Sequence, residues 1–160
     1  MTSANKTRAL LNKNSFRHIV SSTPLISIDL VVRNEKRQVL LGHRLNRPAQ
    51  GYWFVPGGRI LKDECLANAF SRLTYNELGI ELAIGNANFL GVYEHFYDDN
   101  FAGIDFSTHY IVLSYEILIS TETLCHPPSE QHSKYCWLNA DDLVRNESVH
   151  CYTKMYFYNR

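Results

Sequence analysis

In 160 residues, 16 Lys+Arg balance 16 Asp+Glu to a formal net charge of zero, which excludes the positive excess that a nucleic-acid or anionic-membrane surface needs. With 45% hydrophobic and 20% charged residues, the chain is expected to bury a core as one domain over residues 1–160. No apolar run is as long as a membrane span, and Ala9-Leu10-Leu11 is too short for a signal-peptide core, so a cytoplasmic location is expected. Cys65, Cys125, Cys136 and Cys151 are scattered without a CxxC pair. They read as reduced, partly buried thiols rather than a zinc site or a disulfide framework.

Residues 1–14 are polar and read as a poorly anchored N-terminal arm. Leu25 to Val32 is β-rich and predicts a strand, Asn34 to Arg37 a turn, and Val39 to Arg44 a second strand, the pair forming a hairpin. Asn46 to Gln50 is loop. Tyr52-Trp53-Phe54-Val55 is a short strand running into Pro56-Gly57-Gly58. Asp63 is placed to cap the following helix, with Glu64 at the positive end of its dipole. Leu66, Ala69, Phe70 and Leu73 recur at helical spacing, and Gly79 ends the helix. Asn88–Tyr97 and Ser107–Ile119 predict strands around a polar loop at Asp98 to Gly103. In the second, alternation puts His109, Ile111, Leu113, Tyr115 and Ile117 on one face and Tyr110 and Val112 on the other. Ser120–Ser133 is a polar loop, Tyr135–Leu138 a short strand, Asn139–Leu143 the start of a helix, and Val149–Tyr158 a last, aromatic-rich helix. Strands interleaved with helices predict a mixed sheet between helices, with no strand order fixed.

The chemistry concentrates where Gly57-Gly58 joins a strand to a helix. Two glycines allow a tight turn and expose backbone to a ligand. Glu64, Arg72, Glu77 and Gly79 follow in a register that a plain turn would not require. This layout resembles the Nudix box, whose acids hold divalent metal on a diphosphate. That pattern has acids at positions 73, 76 and 77, which share one helical face. Here Leu73 and Asn76 replace two of them and Glu77 remains. One carboxylate with carbonyl and phosphate oxygens suits one hard cation, so one essential Mg²⁺ is expected rather than a cluster.

A base must then come from elsewhere, and His18, His43, His95, His109, His126, His132 and His150 are the candidates. His132 stands out because it follows Glu130-Gln131 in a polar loop able to close on a ligand with an oxygen donor and a base. Arg44, Arg47 and Arg59 cluster around the loop leading into the glycine turn, and guanidinium forks suit phosphate oxygens. Asp29 inside a strand is either edge-exposed or a site residue.

The run Asn46 to Arg59 is similar to the GDP-mannose mannosyl hydrolase family. So are Ser22-Thr23-Pro24-Leu25, His95 to Phe101, Thr108-His109-Tyr110 and Glu130-Gln131-His132. These matches span the chain from about Phe16 onward, and the degenerate box is itself what that family shows. The resemblance implies a Nudix-type α/β/α sandwich with a mixed sheet. It implies hydrolysis of GDP-mannose, or GDP-glucose, to GDP and a free sugar of inverted configuration by attack of water at the anomeric carbon. It further implies one Mg²⁺ held by the Gly57 carbonyl, Glu77 and Gln131, with His132 as general base. Arg44, Arg59, Arg72 and Tyr110 would stabilise departing GDP, Asp29 the charge on the sugar, and Phe16 would contact the nucleotide. The family is dimeric, so a homodimer is expected, with a small-molecule nucleotide sugar and no nucleic acid or membrane as partner.

Two other readings remain. An ordinary Nudix pyrophosphohydrolase would attack phosphorus but usually needs the acids lost at 73 and 76. A non-catalytic nucleotide-sugar sensor would not need to keep Glu77, Gln131 and His132.

Overall fold

The computed structural model describes residues 11–121 and 132–158, with His132 described for its backbone alone. A seven-stranded mixed sheet forms the frame, its strands running β1 (Leu25–Arg33), β2 (Val39–Arg44), β3 (Trp53–Phe54), β4 (Gly57–Arg59), β5 (Asn88–Tyr97), β6 (Thr108–Leu118) and β7 (His132–Leu138). Helices are α1 (Lys13–Ser22), α2 (Leu66–Leu78), α3 (Ala140–Arg145) and α4 (Cys151–Met155), with a 3-10 turn at Ile84–Asn86.

β1 is the organising strand. It is buried along nearly its whole length, as expected of a continuous apolar run covered on both faces. It lies parallel to β6 from Leu25 opposite Tyr110 to Arg33 opposite Leu118. On its other side it forks. Its C-terminal end meets β2 at Arg33 opposite Val39, and its N-terminal half pairs with β4 from Ser27 opposite Arg59 to Asp29 opposite Gly57.

Alternation along β1 divides the core. Ile28, Leu30 and Val32 face one layer with Ala69, Phe70, Leu73 and Leu78 of α2. Val31 faces the other, with Leu41, Phe54, Leu143 and Tyr156. The sheet is therefore sandwiched between α2 and the α3–α4 pair, which is the expected α/β/α arrangement. Truncating a fully buried side chain such as Phe70 to alanine costs about 3–5 kcal/mol in such a core. Among the described residues no helix is long and apolar enough to cross a membrane.

Several expectations are corrected. Lys13 and Asn14 do not belong to an arm: α1 begins at Lys13, capped by the Asn12 side chain accepting the Ser15 N–H at 2.9 Å, and Phe16, Ile19 and Val20 form its inward stripe. Asp63 does not cap α2, because its φ of 60° turns the chain before the helix and Cys65 takes the cap position. Glu64 instead accepts the Leu61 N–H at 2.9 Å. As expected, Gly79 ends α2, in the left-handed conformation with φ 76° that glycine allows. β7 starts three residues earlier than predicted, so His132 opens a strand rather than sitting in a loop. The last helix is only Cys151–Met155, since Val149 forms a bridge to Trp53. Among the described cysteines, Cys136 is half-buried while Cys65 and Cys151 are exposed thiols.

Candidate functional site

The fork of β1 opens a cavity of about 520 Å³. Its walls come from Asp29 of β1, Arg44 at the end of β2, Gly57-Gly58-Arg59 of β4, Arg72, Leu73, Asn76 and Glu77 of α2, His95 and Tyr97 of β5 and Tyr110 of β6. Six elements thus meet where β1 exchanges one partner for another.

The two glycines are required by contact. A Cβ at Gly57 would stand 2.4 Å from the Ile28 carbonyl oxygen and 2.8 Å from Asp29 Oδ1. A Cβ at Gly58 would stand 2.7 Å from Leu73 Cδ2. Leu73 is only 3% exposed and belongs to the α2-side core, so the position where the Nudix box has an acid is here filled by hydrocarbon packed on the turn. Asn76 lines the cavity as a neutral side chain.

Glu77 and Asp29 are the carboxylates of the cavity wall. Burial raises Glu77 to about 7, an effect that the nearby Arg44 charge partly offsets. Burial likewise raises Asp29 to about 6, against the lowering effect of the Tyr156 hydroxyl, which donates to Asp29 Oδ2 at 2.6 Å, and of Arg44. A buried carboxylate resists ionisation until a cation approaches. Among the described residues no three His, Cys, Asp or Glu side chains gather to form a metal cluster. Glu77 with the Gly57 backbone carbonyl offers hard oxygen donors, a set that fits Mg²⁺ rather than a softer metal. Gln131 lies outside the described residues, but His132 stands opposite Arg44 in the β2–β7 register, so the strand it opens begins at the cavity edge.

The arginines separate by role. Arg44 donates from Nε to the Pro48 carbonyl at 2.9 Å, and its guanidinium lies 5.6 Å from the Phe54 ring centre. This holds its charge beside Asp29 and Glu77. Arg59 lines the cavity with its guanidinium 4.0 Å from the Phe16 ring centre, and Phe16 in turn packs on Phe101 at 4.6 Å. Arg72 also lines the cavity, but its fork is committed to Glu64, with Nε to Oε1 at 2.7 Å and Nη2 to Oε2 at 2.8 Å. Its Nη2 also donates to the Arg59 carbonyl at 2.9 Å, tying the helix to the turn. Arg47 stands apart from the cavity wall and donates to Asp99 at 2.9 Å. Tyr110 is in the wall, its phenol pushed up by burial.

Sequence reasoning gave no role to Tyr97 or Tyr156, and it held His95 as one histidine of seven within the run His95 to Phe101 that carries the family resemblance. His95 is 2% exposed and is pushed down to about 3 by burial, so it is neutral. Period-two alternation puts His95 and Tyr97 on one face of β5, but nothing local joins them to Tyr156.

A glycine turn, one buried helix carboxylate and arginines around a polar cavity define a site for a phosphorylated small molecule and a hard cation. The NUDIX domain profile matches residues 23–157, and the chain belongs to the Nudix family of hydrolases. Nudix hydrolases act on small nucleotide derivatives and generally use a divalent metal such as Mg²⁺. The chain is 41% identical over 132 residues to the low-salt glycan biosynthesis protein Agl8 of Haloferax volcanii, covering 82% of this chain and 81% of that protein. Among solved structures, the MutT protein of Methanosarcina mazei Go1 superposes with a TM-score of 0.66 at 22% identity, covering 85% of this chain and 92% of that one. The NUDIX domain of Shewanella oneidensis NrtR, complexed with ADP ribose, gives a TM-score of 0.61 at 18% identity over 91% of this chain and 96% of that one. These two likenesses concern the fold.

Proposed function

We propose that this chain is a Mg²⁺-dependent hydrolase of GDP-mannose, or of a related GDP-hexose such as GDP-glucose. Water attacks the anomeric carbon, and the products are GDP and the inverted sugar. The observation that carries this reading is Leu73 packed on Gly58 beside a neutral Asn76. Of the three box positions, Glu77 alone keeps a carboxylate, which favours a diphosphate that is held and released over one that is attacked. Similarity to a glycan biosynthesis protein supports a sugar-bearing substrate.

In this reading Glu77, the Gly57 carbonyl and Gln131 hold one Mg²⁺ per subunit. Bound there, the ion neutralises the diphosphate and makes GDP a better leaving group. Arg44 and Arg59 place guanidinium charge on the departing phosphate oxygens, and the Tyr110 hydroxyl donates to them. Arg72 acts by fixing the Arg59 backbone through its carbonyl. Asp29 faces the sugar and stabilises positive charge as the glycosidic bond lengthens. His132 removes a proton from the attacking water, replacing the base carboxylate of an ordinary inverting glycosidase. Phe16 borders the nucleotide end through Arg59, and Arg47 acts at the rim. The subunit works as a homodimer, which sedimentation of the purified protein tests.

Hydrolysis of GDP-mannose in oxygen-18 water decides the reaction. Label in the hexose supports attack at carbon. Label in phosphate makes the protein a pyrophosphohydrolase, and absence of turnover makes it a binder.

A further inference from the structure

Behind the cavity, Tyr156 joins two residues of its wall. Its hydroxyl donates to Asp29 Oδ2 at 2.6 Å and lies 3.3 Å from His95 Nε2. Tyr156 is 1% exposed and is not part of the cavity wall. On the far side of the imidazole, the Tyr97 hydroxyl lies 3.4 Å from His95 Nδ1.

Proton counting gives this chain one direction. Once Asp29 is ionised, its oxygens can only accept, so the one proton of the Tyr156 phenol goes to the carboxylate. Towards His95 the phenol oxygen can therefore only accept, so Nε2 must carry the ring proton. A neutral imidazole has one such proton, which leaves Nδ1 as acceptor from Tyr97. The reverse tautomer would set two lone pairs facing each other at Tyr156.

The scaffold around the chain is fixed by α4. Tyr152 stacks on the His95 ring at 4.2 Å with only 9° between planes. Its hydroxyl donates to the Phe96 carbonyl and accepts the Phe96 N–H, both at 2.7 Å, so it takes the place of a strand partner on β5 at the edge of the sheet. The imidazole is thereby held in plane and in place by one helix that also leads into Tyr156. Arg44, Tyr97 and Tyr110 are the other charged and titratable groups whose fields reach Asp29.

We propose that Tyr156 is a positioning residue: through a one-directional chain Tyr97–His95–Tyr156–Asp29 it locks His95 as the Nε2–H tautomer and aims the Asp29 carboxylate into the cavity. Its kinetic consequence rests on the role proposed for Asp29, whereas the tautomer does not.

Two measurements test it separately. Long-range proton–nitrogen-15 spectra of histidine-labelled protein at pH 8, where Asp29 is ionised, are expected to show His95 with a pyrrole-like Nε2 and a pyridine-like Nδ1. A pyrrole-like Nδ1 would overturn the proposal whatever the substrate. Tyr156→Phe removes only the hydroxyl. It is expected to lower kcat on GDP-mannose about 10- to 100-fold with KM within about twofold, and to let both His95 tautomers appear. Unchanged kcat together with an unchanged His95 spectrum would overturn it. If wild-type protein fails to turn over GDP-mannose, the reading of the substrate fails, while the His95 spectra of wild type and variant still decide the chain.

Discussion

Leu73 and Gly58 are packed so closely that a methyl group on the glycine would meet the leucine Cδ2 at 2.7 Å. The first prediction follows from this contact. Restoring an acid with Leu73→Glu places a charge in the α2-side core without making room for one. It should destabilise the protein by about 3–5 kcal/mol in urea unfolding and should yield no diphosphatase. Gly58→Ala meets only the tip of a flexible side chain and should be the milder glycine change. Gly57→Ala collides with the Ile28 carbonyl oxygen at 2.4 Å, which no rotamer relieves. It should cost more than about 2 kcal/mol and abolish turnover. Equal melting points for the two alanine variants would refute this ordering.

Glu77 and Asp29 give the metal-free protein a defined pH dependence. Both have folded-state values above their ordinary ones, about 7 against 4.5 for Glu77 and about 6 against 3.8 for Asp29. The neutral forms are favoured by folding, so their contribution is fully present below pH 4 and is lost as pH rises through 6 and 7. For Glu77 alone this is about 3 kcal/mol. Mg²⁺ held as proposed at Glu77 would work in the opposite sense, because it needs the ionised carboxylate. Its affinity should fall about tenfold per pH unit below pH 7, with a proton released on binding. Calorimetric titration of Mg²⁺ at pH 6 and pH 8 in buffers of different ionisation enthalpy checks this. Glu77→Gln should remove both the proton release and the pH dependence.

The β2–β7 register puts His132 opposite Arg44 at the cavity edge. In the general-base role proposed for it, His132→Gln should lower kcat by at least about 100-fold with little change in KM, since such a base contributes roughly that much. The residual rate should rise with hydroxide concentration. A near-normal rate above neutral pH would remove His132 from the role.

What the sequence made legible was local. The glycine pair, Glu77 and Gly79 announce a turn, a helix and its end, because each needs a particular backbone conformation or a fixed helical spacing. The alternation in β6 likewise separated Tyr110 from Tyr115 before any contact was known. The errors arose where a neighbour or a dihedral decided the outcome. Asp63 has the chemistry of a cap but a left-handed backbone, so Cys65 caps instead. Asn12 was absorbed into a polar arm although it caps α1. Asp29 is not edge-exposed, because β1 lies inside the sheet, and its carboxylate is held by Tyr156, 127 residues away in sequence. No periodicity encodes such a pairing; the fold does, by bringing α4 onto β1 and β5.

Arg44 is the charge that both cavity carboxylates feel. Its Nε is anchored on the Pro48 carbonyl at 2.9 Å, so the guanidinium cannot swing away without breaking that bond. Arg44→Gln should therefore have two separable effects. Without the cation, Glu77 and Asp29 ionise less readily, and the pH at which Mg²⁺ binds half-maximally should move upward. If Arg44 takes its proposed place on the diphosphate, GDP affinity should fall about 10- to 100-fold with loss of that charge-assisted contact. Lysine at this position restores charge but not the fork, so Arg44→Lys should recover the metal-binding pH while leaving most of the GDP affinity lost. Titration of both variants with Mg²⁺ and with GDP separates the effects. Full recovery of GDP affinity by lysine would show that Arg44 acts only as a point charge.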